Sequence, residues 1–467
     1  MSERQPDIAA TFAAYAANLT YEQLPAAVVS TLKRVVLDTL GTTLAANHLA
    51  DGVQPLIDLI QQTGGAPEST LLGFGRKVPA LMAALGNGGM AQALNYADTA
   101  KDAGHLGPSS VPAALAAAEQ TGGVSGREFL ASLAAGTELM ARLSTAFRHA
   151  WGDWPVKPLR TQTWGYFNAA LCSGRVLKLN ASQMHDALGL ALMQASGSMQ
   201  IVRGGDPPAK NIYAAFPNYG GLLSAMLARN GLRAACDGIF EGEAGLFQLF
   251  HDGRFWRSPL ENGLGETFYL LGVRFKPWPT SGVTHSLIEA ALQLVARERL
   301  DAADIEQVQL IGGPDISHCS EPVEVRKKPS TTAAAGNSVF FPVAKVLANG
   351  GISLADFTPE GLRQPQVLAL AQRMTYTIDA ELGSSGIVLL STADGRRLES
   401  RADTPLGDLA NPMSYEQIVA KFLDCARYAA QPIPAENLQR IVELIDHLEQ
   451  VPDVAALPAL LSNLETR

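Results

Sequence analysis

Small side chains dominate the first part of this sequence, and they limit what it can fold into. Ala113-Ala114-Leu115-Ala116-Ala117-Ala118 and the run from Gly189 to Gly197 are rich in Ala and Gly. Side chains this small let helices approach closely, so the sequence favours an all-helical core with many layers. Residues 26–47 show the pattern. Val28, Leu32, Val35, Val36, Leu40 and Leu44 recur at spacings of one, three and four, the wide apolar stripe of an amphipathic helix. Further helices are predicted over 79–97, 109–121, 125–147, 164–177, 182–196 and 217–230, with Ser182 as a cap. No fixed period runs through them, which disfavours a solenoid.

Near residue 270 the texture changes. Residues 305–311 roughly alternate apolar and polar, as a half-buried strand does. Residues 375–381 and 386–391 read as strands too, and Ala393-Asp394-Gly395-Arg396 is a hairpin turn returning the chain along 398–402. Helices are predicted near 284–298, 338–348 and 364–372. After residue 410 helix returns, with Ser414 capping one helix and Pro434 opening another. The predicted fold is mainly α: a large all-helical domain formed by both chain ends (1–271 and 404–467), plus an inserted α+β lid domain (272–403). Ligands favour the cleft between two such bodies.

The 467 residues carry 36 Lys+Arg against 45 Asp+Glu, a formal charge of −9. Such a balance speaks against nucleic acid or an anionic membrane as partner. The densest basic segment, Arg326-Lys327-Lys328, reads as a solvated loop. No apolar stretch reaches the roughly eighteen residues of a membrane-spanning helix, and the polar N-terminus lacks the order of a signal peptide. Cys172, Cys236, Cys319 and Cys425 are far apart, which fits reduced thiols in a cytoplasmic protein. The eight histidines show no helical pairing, so no metal site is expected; His149, His318 and His447 read as structural.

Three segments concentrate reactive side chains among glycines and prolines. Residues 95–110 hold carboxylates, a Lys, His105 and hydroxyls in one polar loop. Residues 203–220 hold Arg203 and Lys210, and residues 274–285 hold Lys276 and His285 at the domain junction. None matches a phosphate loop, a dinucleotide fingerprint or a nucleophile elbow. Cations beside histidine suit small substrates with several carboxylates.

Ala93-Leu94-Asn95-Tyr96-Ala97-Asp98-Thr99, the stretch from Gly231 to Leu246, Phe275-Lys276-Pro277-Trp278-Pro279 with Thr284-His285, Asn411-Pro412-Met413-Ser414 and Lys421-Phe422 together resemble the MmgE/PrpD family nearly end to end. The resemblance implies a helical domain with an α+β lid, a homodimer, and no metal or organic cofactor. It implies a lyase acting on a small di- or tricarboxylate by proton transfer, as in 2-methylcitrate dehydration or cis-aconitate decarboxylation. Iminodisuccinate epimerisation is the alternative, and a non-catalytic carboxylate-binding relic is another.

Carried over position by position, the resemblance makes His105, Lys210 and Lys276 the catalytic set. Asn95, Asp98, Thr99, Arg203 and His285 become the substrate-binding set. Asp98 and Thr99 serve equally well as loop braces. Three acid/base positions of the family are changed: its leading Asp is Asn95, a His is Leu159 and a Tyr is Phe341. Trp151 to Trp154 could wall the pocket or belong to a core.

Overall fold

The computed structural model describes residues 6–100, 103–148, 158–203 and 207–462, apart from the side chains of Arg148, Val202 and Arg203. Trp151 to Trp154 and His149 lie outside the described residues. The molecule is mainly helical, with a smaller α+β region, and the reason lies in its small residues. Helix Ala215–Arg229 crosses helix Arg160–Val176 at Gly221, where a Cβ would sit 2.4 Å from Ala169 Cβ and 2.7 Å from Ala170 N. Gly136, on helix Gly126–Arg148, comes as near to Asn168: a Cβ there would lie 2.4 Å from its carbonyl oxygen.

One hydrophobic core gathers residues from Ile8 to Phe275 together with Met413 to Leu461, so both chain ends are packed into it. Helix Tyr415–Ala426 lies on helix Ala26–Leu49, with Phe422 Cα only 3.1 Å from where a Gly41 Cβ would be. Ser414 and Gln417 close this helix start as a capping box, as its sequence predicts. The Ser182 cap is a correction. Helix Ala181–Leu192 begins earlier, and Asn180 caps it reciprocally with Gln183, because the Asn side chain reaches an amide that Ser182, already inside the helix, cannot.

A second core runs from Trp278 to Ala402. Its sheet has the spatial order Met374–Ile378, Ile305–Gly312, Gly386–Thr392, Arg397–Ala402. The first pair is parallel and the other two are antiparallel. Strand Gly386–Thr392 alternates fully and partly buried residues along its length, since one face packs under helix His285–Arg297.

A strap joins the two parts. Buried Arg142 pairs with Glu138 at 2.6 Å and donates to the carbonyls of Pro259, Asn262, Gly263 and Thr267. Glu138 accepts the amides of Tyr269 and Leu270. Together with turns of its own such as Thr267 N–H to the Gly263 carbonyl, these two side chains fix the segment that leads to Val273 and Lys276.

Replacing Gly221 by Leu is expected to cost about 1–3 kcal/mol or more in urea unfolding, because an overpacked crossing must open. Gly272 has open space around its missing Cβ, so Gly272→Ala should stay within about 0.5 kcal/mol of the parent. Equal stability of the two variants would refute the close-crossing account.

Candidate functional site

A cavity of about 640 Å³ opens between the two cores. Gln92–Asn95, Leu159, Lys210 and Tyr213 form one wall; Ser281, His318, Cys319, Arg326 and Asn337 stand on the other. The predicted helix 79–97 ends early, at Gln92. Asn95 adopts a left-handed φ of 53°, a conformation that Asn tolerates better than most residues, and this turn delivers its side chain to the cavity.

The chain next forms a two-residue ladder. Thr99 pairs with Arg274 and Ala100 with Val273, which places the loop after helix Ala80–Gln92 beside Lys276 despite their distance in sequence. The Lys276 ammonium donates to the Asn95 carbonyl and Oδ1, both at 2.8 Å, and to the Thr280 carbonyl at 3.2 Å. Burial, followed by the nearby Lys421 ammonium, pushes Lys276 down to about 7.

Asp98 closes the loop that carries His105. Its carboxylate accepts the amides of Leu106 and Gly107 at 2.9 and 3.0 Å. Burial, then the Asp38 carboxylate, pushes Asp98 up to about 7. Gly104 has φ 85°, and a Cβ there would lie 2.4 Å from Thr161 Oγ1. That same oxygen accepts the His105 amide at 3.0 Å. Nδ1 of His105 faces the Asp98 carbonyl in a short hydrogen bond, and Nε2 lies 3.0 Å from the Gln92 amide nitrogen. A carbonyl only accepts, so the ring proton sits on Nδ1 and Nε2 keeps its lone pair. Burial, then Lys276, pushes His105 down to about 3, so its ring is neutral at ordinary pH.

The cavity is lined by Asn95, Lys210 and Gln92, whereas Lys276 behind Asn95 and His105 behind Gln92 are not among its lining residues. Asp98 supports it from beneath, its carboxylate engaged by the loop. Thr99 sits in the ladder and is not among the cavity's lining residues. His285 is buried under its own helix with its ring edge-on to Trp278. Arg203 ends the short helix Gln200–Arg203, and its side chain lies outside the described residues. Of the changed family positions, Leu159 lines the cavity, while Phe341 is in the second core against Phe357.

Sequence reading missed several contributors. The basic segment is corrected: Arg326 is buried, lines the cavity and donates to the carbonyls of Glu321 and His318. Lys327 reaches over the Phe340 ring, and only Lys328 of the three is exposed. The reason is the turn into helix Val323–Lys327, which aims consecutive side chains in different directions. His318 stands on the cavity wall.

Lys421 and Asp38 pair at 2.7 Å with almost no exposure. Lys421 also donates to the carbonyls of Tyr96 and Lys276, at 2.7 and 3.0 Å, and Asp38 accepts the Asp98 amide at 2.9 Å. The sequence signals for the pair are an acid inside an apolar helix stripe and the family-like Lys421-Phe422. Among the described residues no group of three or more His, Cys, Asp or Glu could hold a metal ion. No described helix is long and apolar enough to cross a membrane.

Lys421→Met strands the Asp38 charge and should cost roughly 3–5 kcal/mol in urea unfolding. Adding Asp38→Asn, which keeps an acceptor for the Asp98 amide, should recover much of that loss; additive damage would refute the coupling. A second expectation concerns acid. Burial, then Lys276, pushes His285 down to about 3, so its stabilising contribution is full above the ordinary histidine range and is lost as pH falls towards 3. Between about pH 6 and 4 the parent should lose about 1.4 kcal/mol per unit relative to His285→Phe. Parallel curves would remove His285 from the account.

The MmgE/PrpD N-terminal domain matches residues 10–258 and the MmgE/PrpD C-terminal domain matches residues 278–447. A cis-aconitate decarboxylase of Aspergillus terreus is 25% identical, covering 99% of this chain and 97% of its own length. A cis-aconitate decarboxylase-like protein of Aspergillus oryzae is 27% identical over 99% of this chain and 98% of its own. The cis-aconitate decarboxylase of Homo sapiens is 24% identical over 97% and 94%. With both domain models matched in order over most of its length, the chain belongs to the MmgE/PrpD family.

Proposed function

We propose that this chain is a lyase acting on a small di- or tricarboxylate, moving a proton at the carbon next to a carboxylate. The observation that carries the reading is the tautomer of His105, which is neutral, oriented by the Asp98 carbonyl and equipped with a lone pair on Nε2. That is the form a general base needs. Lys210 and Arg326 face the cavity as partners for substrate carboxylates. Lys276 lies just behind Asn95, where its charge favours the enolate-like anion that forms when the Cα proton leaves. Its proton affinity near neutrality also suits it to return a proton.

In a dehydration, His105 takes the Cα proton and the electron pair expels a β-hydroxyl. In a decarboxylation, the C–C bond breaks, carbon dioxide leaves, and the resulting carbanion takes up a proton. The named decarboxylase relatives favour the second course. Two separate proton carriers, His105 and Lys276, also suit epimerisation, in which the proton returns to the other face; this is the second reading. The same proposal includes a cytoplasmic homodimer, for which light scattering should give about twice the 49.4 kDa chain mass.

The test is proton NMR in deuterated water with 2-methylcitrate, citrate, cis-aconitate and iminodisuccinate, each with and without EDTA. Loss of a carboxylate from cis-aconitate or new vinyl signals from a hydroxy acid supports the lyase. Cα exchange alone supports the epimerase. His105→Ala should lower turnover by about 100-fold or more. A turnover equal to that of the parent would sink the role given to His105, and silence on every substrate would leave the relic.

A further inference from the structure

Gln92 is the last residue of helix Ala80–Gln92, is almost fully buried and lines the cavity. Its amide nitrogen, 3.0 Å from Nε2 of His105, is the donor of that bond, because the proton of the ring is on Nδ1. If His105 is the base, as the proposed function holds, its lone pair is occupied in the unliganded site. The other end of the same amide is unsatisfied: Gln92 Oε1 is buried without a hydrogen-bond partner. A buried acceptor left this way is destabilising, so the resting arrangement favours any ligand that offers the amide a better one.

We propose that Gln92 is a positioning residue that caps Nε2 of His105 until a substrate carboxylate takes over its amide N–H and frees the lone pair for the Cα proton. A substrate hydroxyl would then satisfy Oε1, which gives hydroxy acids a further contact. The site can accommodate this exchange because Gln92 already faces the cavity, and because His105 is held independently by the Asp98 carbonyl and by Thr161 Oγ1. The ring therefore stays in place when the amide leaves.

The charged and titratable groups facing His105 are Asp98 from its own loop, Tyr213 beside the Gln92 amide, and Lys276 from the segment after strand Val273–Arg274. Behind them stands the Asp38–Lys421 pair. Of these only Tyr213 is hydrogen-bonded to the Gln92 side chain and responds directly when Gln92 is replaced.

Two variants of the full chain test the proposal: Gln92→Met, which keeps the length but has no amide, and Gln92→Glu. The titration of His105 is followed by NMR without substrate, its signal identified by its loss in His105→Ala. A hydrogen bond to the neutral ring lowers proton affinity, so Gln92→Met should move the titration up by about one unit. Gln92→Glu should move it further, since a carboxylate at Nε2 pairs only with the imidazolium. At neutral pH the Glu variant should lose turnover at least about tenfold and regain it as pH rises. KM should rise about tenfold in Gln92→Met, the loss of a hydrogen bond to a charged group. If His105→Ala is inactive yet neither titration nor KM moves in folded Gln92 variants, the role of Gln92 falls while the functional reading stands. If His105→Ala turns over like the parent, both fall.

Discussion

A buried lysine and aspartate hold the functional cavity together. Lys421 comes from the last part of the chain and Asp38 from an early helix, and between them they grip Tyr96, Asp98 and Lys276. The ammonium is ion-paired with Asp38 and donates to the carbonyls of Tyr96 and Lys276. A buried pair in this state contributes little net stability against an apolar replacement, but it tolerates no half-measures. Any shift that lifts the early loop away from the Lys276 segment breaks at least one of its bonds. The ion pair therefore fixes register between segments that share no continuous secondary structure.

The same lysine sets the chemistry. Lys421 lowers the proton affinity of Lys276, and Lys276 in turn lowers that of His105 and His285. Burial is the larger cause for each of the three. The result is a row of basic groups that ends in a neutral imidazole. Two carboxamides, Gln92 and Asn95, stand between these groups and the cavity. An amide can both donate and accept, so it can bond either to a protein base or to a substrate carboxylate without a change of charge.

Much of the fold could be read from residue pattern. The stripe along Val28 to Leu44, the Ser414 cap, and the alternation of Ile305 to Ile311 each reflect a local preference with one strong outcome. Ser182 misled because Asn180, two residues earlier, offers an equally good acceptor. The run Arg326-Lys327-Lys328 misled for a different reason. Charge predicts solvation only when every side chain can reach water, and a short helix turned the first of the three inward against carbonyls that satisfy it.

For the site, the polar loop carrying His105 and the segment carrying Lys276 were visible as islands of reactive residues between apolar stretches. Their order and spacing pointed to the family. Residue identity and local pattern thus determined the helices, the mainly α fold and the chemical types available. Tertiary structure alone decided which of those groups meet. The ladder of Thr99 and Ala100 with Val273 and Arg274, the Asp38–Lys421 pair and the Gln92–His105 contact join residues far apart in sequence or at a helix end that periodicity does not mark. Proton affinity belongs to that second group as well, because burial and neighbouring charge exist only once the chain has closed around them.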